Sequence, residues 1–387
     1  MRRFTDLTSI LAITDEERAE ILQKAEMGDP VACFKQAQIY RFLHNCDDYR
    51  ASAYELLTVA SEGGVADADA AIAIMLFKGE IEPYDPVAAA NLLEKALQSG
   101  SELAADYHLN NIIYGRWGCK QDVELAMKIV DGLIAESDNP QWYRLKGEIL
   151  SNSNRNKEAV EWYERAVEAG LADAYDGLAY AKSTDDESDT RDYQLFMDIV
   201  KEGDEAGNPM CLYYAALLNM VNYDYIEFES DEMRDKFRRS IIEGFELCAE
   251  ESLSIAFDTL GDIYYEGKMD IPVDGLKAWG YYVKGSEYMN PTCFERMYQM
   301  LLNDEIELHN MEREEAMDLC IINGARLRNR TLLIAAVEAY KRGRLTRYAR
   351  EMEMFHLPAY DALPEDEPID DEDDEVADDD GRFDAWA

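Results

Sequence analysis

The chain holds 387 residues, 47% of them hydrophobic, and its 81 acidic against 38 basic side chains set a net charge of −43. That field opposes nucleic acid and anionic membrane surfaces and favours basic partners. The apolar content is ample for a core, yet no run of 18 apolar residues occurs, so no membrane-spanning helix is expected.

Arg2 and Arg3 stand near the start, but no apolar block follows them before Glu17, which predicts a cytoplasmic location rather than a secretory leader. Thr14 and Glu17 form a capping box, so a helix is expected to begin near Asp15. From residue 28 a pattern recurs. A marker position, small in most copies, can be followed as Ala37, Ala73, Asn110, Gly147, Ala179, Ala215, Gly261, Tyr298 and Ala336, at intervals of 36, 37, 37, 32, 36, 46, 37 and 38 residues. Periods of this length indicate a solenoid of helix pairs, each stabilised by its neighbours.

Each repeat has two amphipathic segments. The first places small or apolar residues at i, i+4, i+5 and i+8, as in Ala68, Ile72, Ala73 and Leu76, or Ala256, Leu260, Gly261 and Tyr264. That spacing marks one helix face, and the small residue lets a neighbouring helix approach. The second segment shows Ala89, Leu93 and Ala96 before Gly100, or Ala159, Tyr163 and Ala166 before Gly170. Glycine past the last turn is the usual helix stop, while Pro30, Pro140, Pro209 and Pro291 open the next first helices. Asn110 and Tyr298 are large for a close approach, so those two repeats are read as loosely packed or one position off. An aromatic and acidic insertion, Val221–Ser230, lengthens the sixth unit.

The fullest copy is Ala256-x-x-x-Leu260-Gly261-x-x-Tyr264-x-x-Gly267, followed by Ile271-Pro272-Val273-Asp274 and Lys277-Ala278-Trp279. Residues 68–100 repeat it with Leu76-Phe77-Lys78-Gly79, Tyr84-Asp85-Pro86 and Lys95-Ala96. These units resemble Sel-like repeats, relatives of the tetratricopeptide repeat, over roughly residues 28–329 and least over 209–252. The resemblance implies an all-α, right-handed superhelical solenoid of antiparallel helix pairs that organises protein complexes without being an enzyme. The expected organisation is an N-terminal segment and capping helix over 1–27, about eight repeats over 28–329, basic capping helices over 330–364 and a disordered acidic tail over 365–387. Secreted relatives carry a regular cysteine pair in each repeat. Here the seven cysteines (33, 46, 119, 211, 248, 293 and 320) are irregular and include no C-x-x-C, so free thiols in a reducing compartment are expected.

By the same resemblance, the inner face of the first helices forms a partner groove, with Phe34, Gln38, Arg41, Ile74, Phe77, Tyr114, Asp258, Asp262 and Tyr265 as its candidates. Exposed aromatics beside carboxylates suit a peptide with apolar and basic residues; packing against the adjacent repeat is the competing role. A second feature is basic: residues 326–350 hold Arg326, Arg328, Arg330, Lys341, Arg342, Arg344, Arg347 and Arg350 against Glu338. It reads as a solvated cap, a dock for the acidic tail of the same chain, or a site for an anionic surface. The tail packs 12 acidic residues between Glu365 and Asp380 and ends with Phe383 and Trp386, which resemble a short linear motif on a flexible leash. Asp378–Gly381 is no calcium loop, because Val376 and Ala387 would occupy its first and last ligand positions.

No nucleophile elbow, phosphate loop, dinucleotide motif or paired histidine occurs. The chain is therefore expected to need no cofactor or metal, to avoid nucleic acid and membrane, and to act as a cytoplasmic scaffold or adaptor for a basic protein or peptide. An acidic inhibitor masking one basic partner and a sensor regulated by its own tail are the alternatives.

Overall fold

The computed structural model describes residues 10–43, 47–115, 121–185, 190–308, 311–349 and 351–352. At its start the capping box closes as expected. Thr14 Oγ1 accepts from the Glu17 amide at 3.2 Å and Glu17 Oε2 accepts from the Thr14 amide at 3.0 Å, which fixes the first turn of α1 (Asp15–Glu26).

Helix pairs follow in order: α2 (Pro30–Leu43) with α3 (Asp47–Glu62), α4 (Ala66–Lys78) with α5 (Pro86–Gln98), and α6 (Glu102–Tyr114) with α7 (Val123–Glu136). Next come α8 (Pro140–Ser151) with α9 (Asn156–Glu168), α10 (Tyr175–Ser183) with α11 (Tyr193–Glu205), and α12 (Pro209–Val221) with α13 (Asp231–Glu250). The last are α14 (Ile255–Glu266) with α15 (Gly275–Glu287), α16 (Pro291–Leu302) with α17 (Arg313–Arg326), and a ninth first helix, α18 (Arg330–Lys341). The fold is the all-α superhelical solenoid of antiparallel helix pairs. Among the described residues its only strands are a two-residue ladder between α10 and α11, pairing Thr184 with Arg191.

All nine marker positions fall in first helices. Ala37, Ala73, Gly147, Ala179, Gly261 and Ala336 are buried as required. Two markers shift by one residue. In α12 the buried small residue is Ala216, against which Gly244 of α13 packs, and Ala215 is only half-buried. In α6 the inward residue is Asn111 rather than Asn110. Tyr298 is a different case. In two other repeats a small first-helix residue faces a tyrosine of the second helix: Gly147 faces Tyr163 and Gly261 faces Tyr282. In α16 and α17 the sizes are exchanged: Tyr298 packs on a cluster containing Cys320 and Ala316. Volume is kept while the large partner changes helix.

Caps also differ by helix type. Asp85, Asp122, Asp192 and Asp274 start second helices by accepting from their own third amide. Asn139, Asn208, Asn290 and Asn329 start first helices. Asparagine caps as well as aspartate and keeps two donor hydrogens for a second partner. Cys33, Cys211, Cys248, Cys293 and Cys320 are buried and unbridged, whereas Cys46 and Cys119 lie outside the described residues. Burial pushes their thiols up, Cys248 and Cys320 to about 12, which keeps them protonated and unreactive at neutral pH.

Candidate partner-binding surface

Successive first helices pack on one another, α4 on α6, α6 on α8, α8 on α10, α10 on α12 and α14 on α16. No pair of successive second helices does so to the same degree among the described residues. First helices therefore form the tighter, inner wall of the curve. A polar ladder ties that wall together. The cap of each of several first helices donates to the first turn of the preceding one. Asn290 Nδ2 reaches Asp258 Oδ1 at 2.8 Å and the Ser254 carbonyl at 3.0 Å. Asn208 Nδ2 reaches the Ala172 carbonyl at 3.1 Å, Asn329 Nδ2 reaches Glu295 at 2.7 Å, and Ser101 Oγ reaches Asp67 at 2.6 Å. Behind Asn139, Gln141 supplies the link, to Asp106 at 3.1 Å.

The ladder has an acid–base consequence. Burial pushes the Asp258 carboxyl up to about 7, with Asp262 adding to the effect and Asn290 and Arg296 opposing it. The folded state then holds a proton that the unfolded chain, near 3.8, has released. Stability from this site is greatest below the unfolded value and falls as pH rises towards 7. Asp258→Asn removes the titration and keeps an acceptor for Asn290. Relative to the parent, its stability is expected to rise by about 3 kcal/mol between pH 5 and pH 8, read from urea unfolding. A difference that stays flat with pH would show that Asp258 does not titrate in this range.

The expected groove residues occupy this wall, but most are already engaged. Phe34, Gln38, Ile74 and Phe77 are buried against neighbouring helices, so they do not present side chains to a partner. Arg41 bonds Gln38 at 3.0 Å and pairs with Glu80 at 3.3 Å. Burial raises the Glu80 carboxyl, yet Arg41 and Lys78 outweigh it and hold it below the usual range. Tyr114 is exposed, and its hydroxyl donates to Glu148 of the next first helix at 2.5 Å. Asp262 accepts from Tyr282 Oη at 2.7 Å and from Arg296 Nη2 at 2.9 Å. Tyr265 Oη donates to Glu305 at 3.2 Å. These are bonds from one repeat to the next, or from first to second helix. A partner on the inner wall meets a lattice that satisfies itself.

An opening lies where the superhelix meets itself. The loop after α4 reaches the last repeats, and between them is a cavity of about 980 Å³. Tyr84 is buried among Phe294, Ile321, Ile322 and Leu333, far along the chain. Arg326 Nη2 donates to Glu82 at 2.7 Å, and Arg50 donates to the Glu287 carbonyl. Around the opening Tyr54, Glu55, Glu82 and Glu287 are exposed, whereas Arg50 and Arg326 are buried. This closure joins residues more than 200 positions apart, and no local pattern in the sequence signals it.

The basic segment is correspondingly smaller than its sequence suggests. Arg326 is consumed by the closure, Arg344 pairs with Asp318 at 2.5 Å and Arg342 with Glu338 at 3.3 Å. Arg347 lies over the Tyr348 ring at 4.8 Å, and Arg328 is half-buried. Arg330, Lys341, Arg342 and Arg347 are exposed. Arg350, Phe383, Trp386 and the acidic stretch 365–387 lie outside the described residues. Among the described residues no group of His, Cys, Asp and Glu is arranged to hold a metal, and no helix is long and apolar enough to cross a membrane.

The profile of the Sel1 repeat matches residues 66–101, 143–171 and 260–287. These segments are the second, fourth and seventh helix pairs. No curated protein matches the chain. Among solved structures it is similar to a Sel1 repeat protein from Oxalobacter formigenes, with 16% identity over 86% of this chain and 93% of that one, at a TM-score of 0.39. Another is a protective antigen of uropathogenic Escherichia coli strains displaying an SLR fold, with 17% identity over 84% and 75% of the two chains and a TM-score of 0.37. With its period, its small-residue contacts and three matched helix pairs, the chain carries Sel1 repeats at residues 66–101, 143–171 and 260–287.

Proposed function

We propose that this protein is a non-catalytic scaffold that holds a basic protein or peptide at the closure of its superhelix. Sel1 repeat proteins are generally protein-interaction scaffolds and typically not catalysts. The observation that carries the reading is the cavity of about 980 Å³ with Tyr54, Glu55, Glu82 and Glu287 exposed around it. A lysine or arginine from a partner finds carboxylates and an aromatic face there. Five buried free thiols support a reducing compartment. An internal dock for the stretch 365–387 would use Arg330, Lys341, Arg342 and Arg347.

The test is affinity capture from native lysate at low and high salt, using the parent and a Glu55→Lys/Glu287→Lys variant. A basic protein retained by the parent at low salt and lost by the variant is the expected result. Identical captured proteins from both chains would remove the cavity from the binding site.

A further inference from the structure

The sixth repeat carries a feature that the stack does not use. Its second helix, α13, has 20 residues, against 13 in α5, α9, α11 and α15. Fully buried positions begin only at Ile241 and the half-buried ones at Phe237, so residues 231–236 project about 9 Å beyond the packed part at 1.5 Å per residue. The preceding loop is held against this projection by three rings. Tyr223 stacks on Phe237 at 6.5 Å, and Phe228 lies 5.6 Å from Tyr223 and 5.7 Å from Phe237. Ser230 caps the helix by accepting from Met233 at 3.2 Å. The loop is thus built rather than loose.

On this platform stand apolar side chains with no core to enter. Tyr225 is 84% exposed, more than any other large apolar residue described, and Val221, Ile226 and Met233 in the same segment are exposed too. Residues 221–232 carry Asp224, Glu227, Glu229, Asp231 and Glu232 and no basic residue. Four cations follow on the helix: Arg234 lies over Phe228 at 5.8 Å, Arg238 pairs with Asp235 at 2.5 Å, Arg239 donates to the Asp235 carbonyl at 3.2 Å, and Lys236 is exposed, so the acidic charge is concentrated on the loop. An exposed tyrosine and methionine inside an acidic rim have the composition of an interface centre, and insertions in solenoids mark binding faces.

We infer that this protrusion is a second docking surface, which takes a basic segment of a partner protein with an apolar residue flanked by lysine or arginine. Charge complementarity selects that occupant. A second copy of this chain is disfavoured, since it would bring a net charge of −43 against another −43. The surface is separate from the closure cavity, so the two readings fail independently.

The probe is a displayed library of random 12-residue peptides, selected on the full-length protein. Selected peptides are expected to place lysine or arginine around an aliphatic or aromatic residue. Their binding should weaken at least tenfold in Tyr225→Ala/Met233→Ser and stay unchanged in Glu55→Lys/Glu287→Lys. Both residues are exposed, so the melting temperature of the first variant should match the parent. Failure to select any peptide that depends on Tyr225 overturns the proposal. So does a concentration-dependent dimer, seen by sedimentation, that Tyr225→Ala abolishes, because the occupant would then be a second copy.

Discussion

Gly261→Leu is expected to destabilise the seventh repeat by about 3 kcal/mol or more. A Cβ at this position would stand 2.2 Å from Tyr282 Cε1 and 2.6 Å from Cδ1. Tyr282 is completely buried and cannot swing aside without giving up its bond to Asp262 at 2.7 Å. Asp262 in turn orients Arg296 at 2.9 Å, so a displaced ring also disturbs the link to α16. Overpacking alone costs about 1–3 kcal/mol, and a buried hydroxyl left without a partner adds about 1–3 kcal/mol. Gly280 of the same repeat is the control, because a Cβ there meets nothing within 4 Å. Gly280→Ala should gain about 0.5–1 kcal/mol from helix propensity. Amide exchange over α14–α16 and urea unfolding would read both. Equal stability of the two variants would show that Tyr282 does not pack on Gly261.

The period was legible because a repeat can bury its small residue only against its neighbour, and that need recurs at each turn. Its phase was less secure where a helix is apolar on all sides. In α12, Ala215 and Ala216 stand together among leucines and tyrosines, and either fits a one-helix pattern. The exchange of Tyr298 with Cys320 was hidden for another reason: it involves two helices, and a marker sought in one cannot show it. The groove residues illustrate a third limit. The resemblance placed Asp262 and Tyr265 on the inner wall, but their partners, Arg296 and Glu305, lie 34 and 40 residues onward. Whether such groups meet depends on how each repeat is rotated against the last. The closure needs that rotation summed over several repeats. Groove and packing were both open for Phe34 and Phe77 in the sequence for the same reason, since only the stack decides which ring is covered.

Arg326→Ala is expected to loosen the closure and to cost about 3–5 kcal/mol locally. The Arg326 side chain is 5% exposed and holds Glu351 through Nε at 3.2 Å and Nη2 at 2.9 Å. Its guanidinium also lies 5.5 Å from the Tyr84 ring and 5.9 Å from the Tyr348 ring. Removing it strands the buried Glu351 without its cation, and that loss sets the magnitude. The bond to Glu82 is a different matter. Glu82 is 66% exposed, so Glu82→Gln should cost under about 1 kcal/mol. Arg326→Lys should rescue little, because an ammonium cannot reproduce the two-pronged contact with Glu351. Gly79 is part of the same joint. It has φ +66°, and a Cβ there would sit 2.8 Å from Arg326 Cδ, so the loop approaches only because no side chain intervenes. Helix pairs should still stack in Arg326→Ala, leaving helicity close to the parent's. The change should appear as faster amide exchange in residues 79–82 and 84 and in 345–349, and as a larger radius of gyration in solution scattering. Unchanged protection of that loop would mean that Tyr84, buried among Phe294 and Ile321, holds the superhelix shut by apolar contact alone.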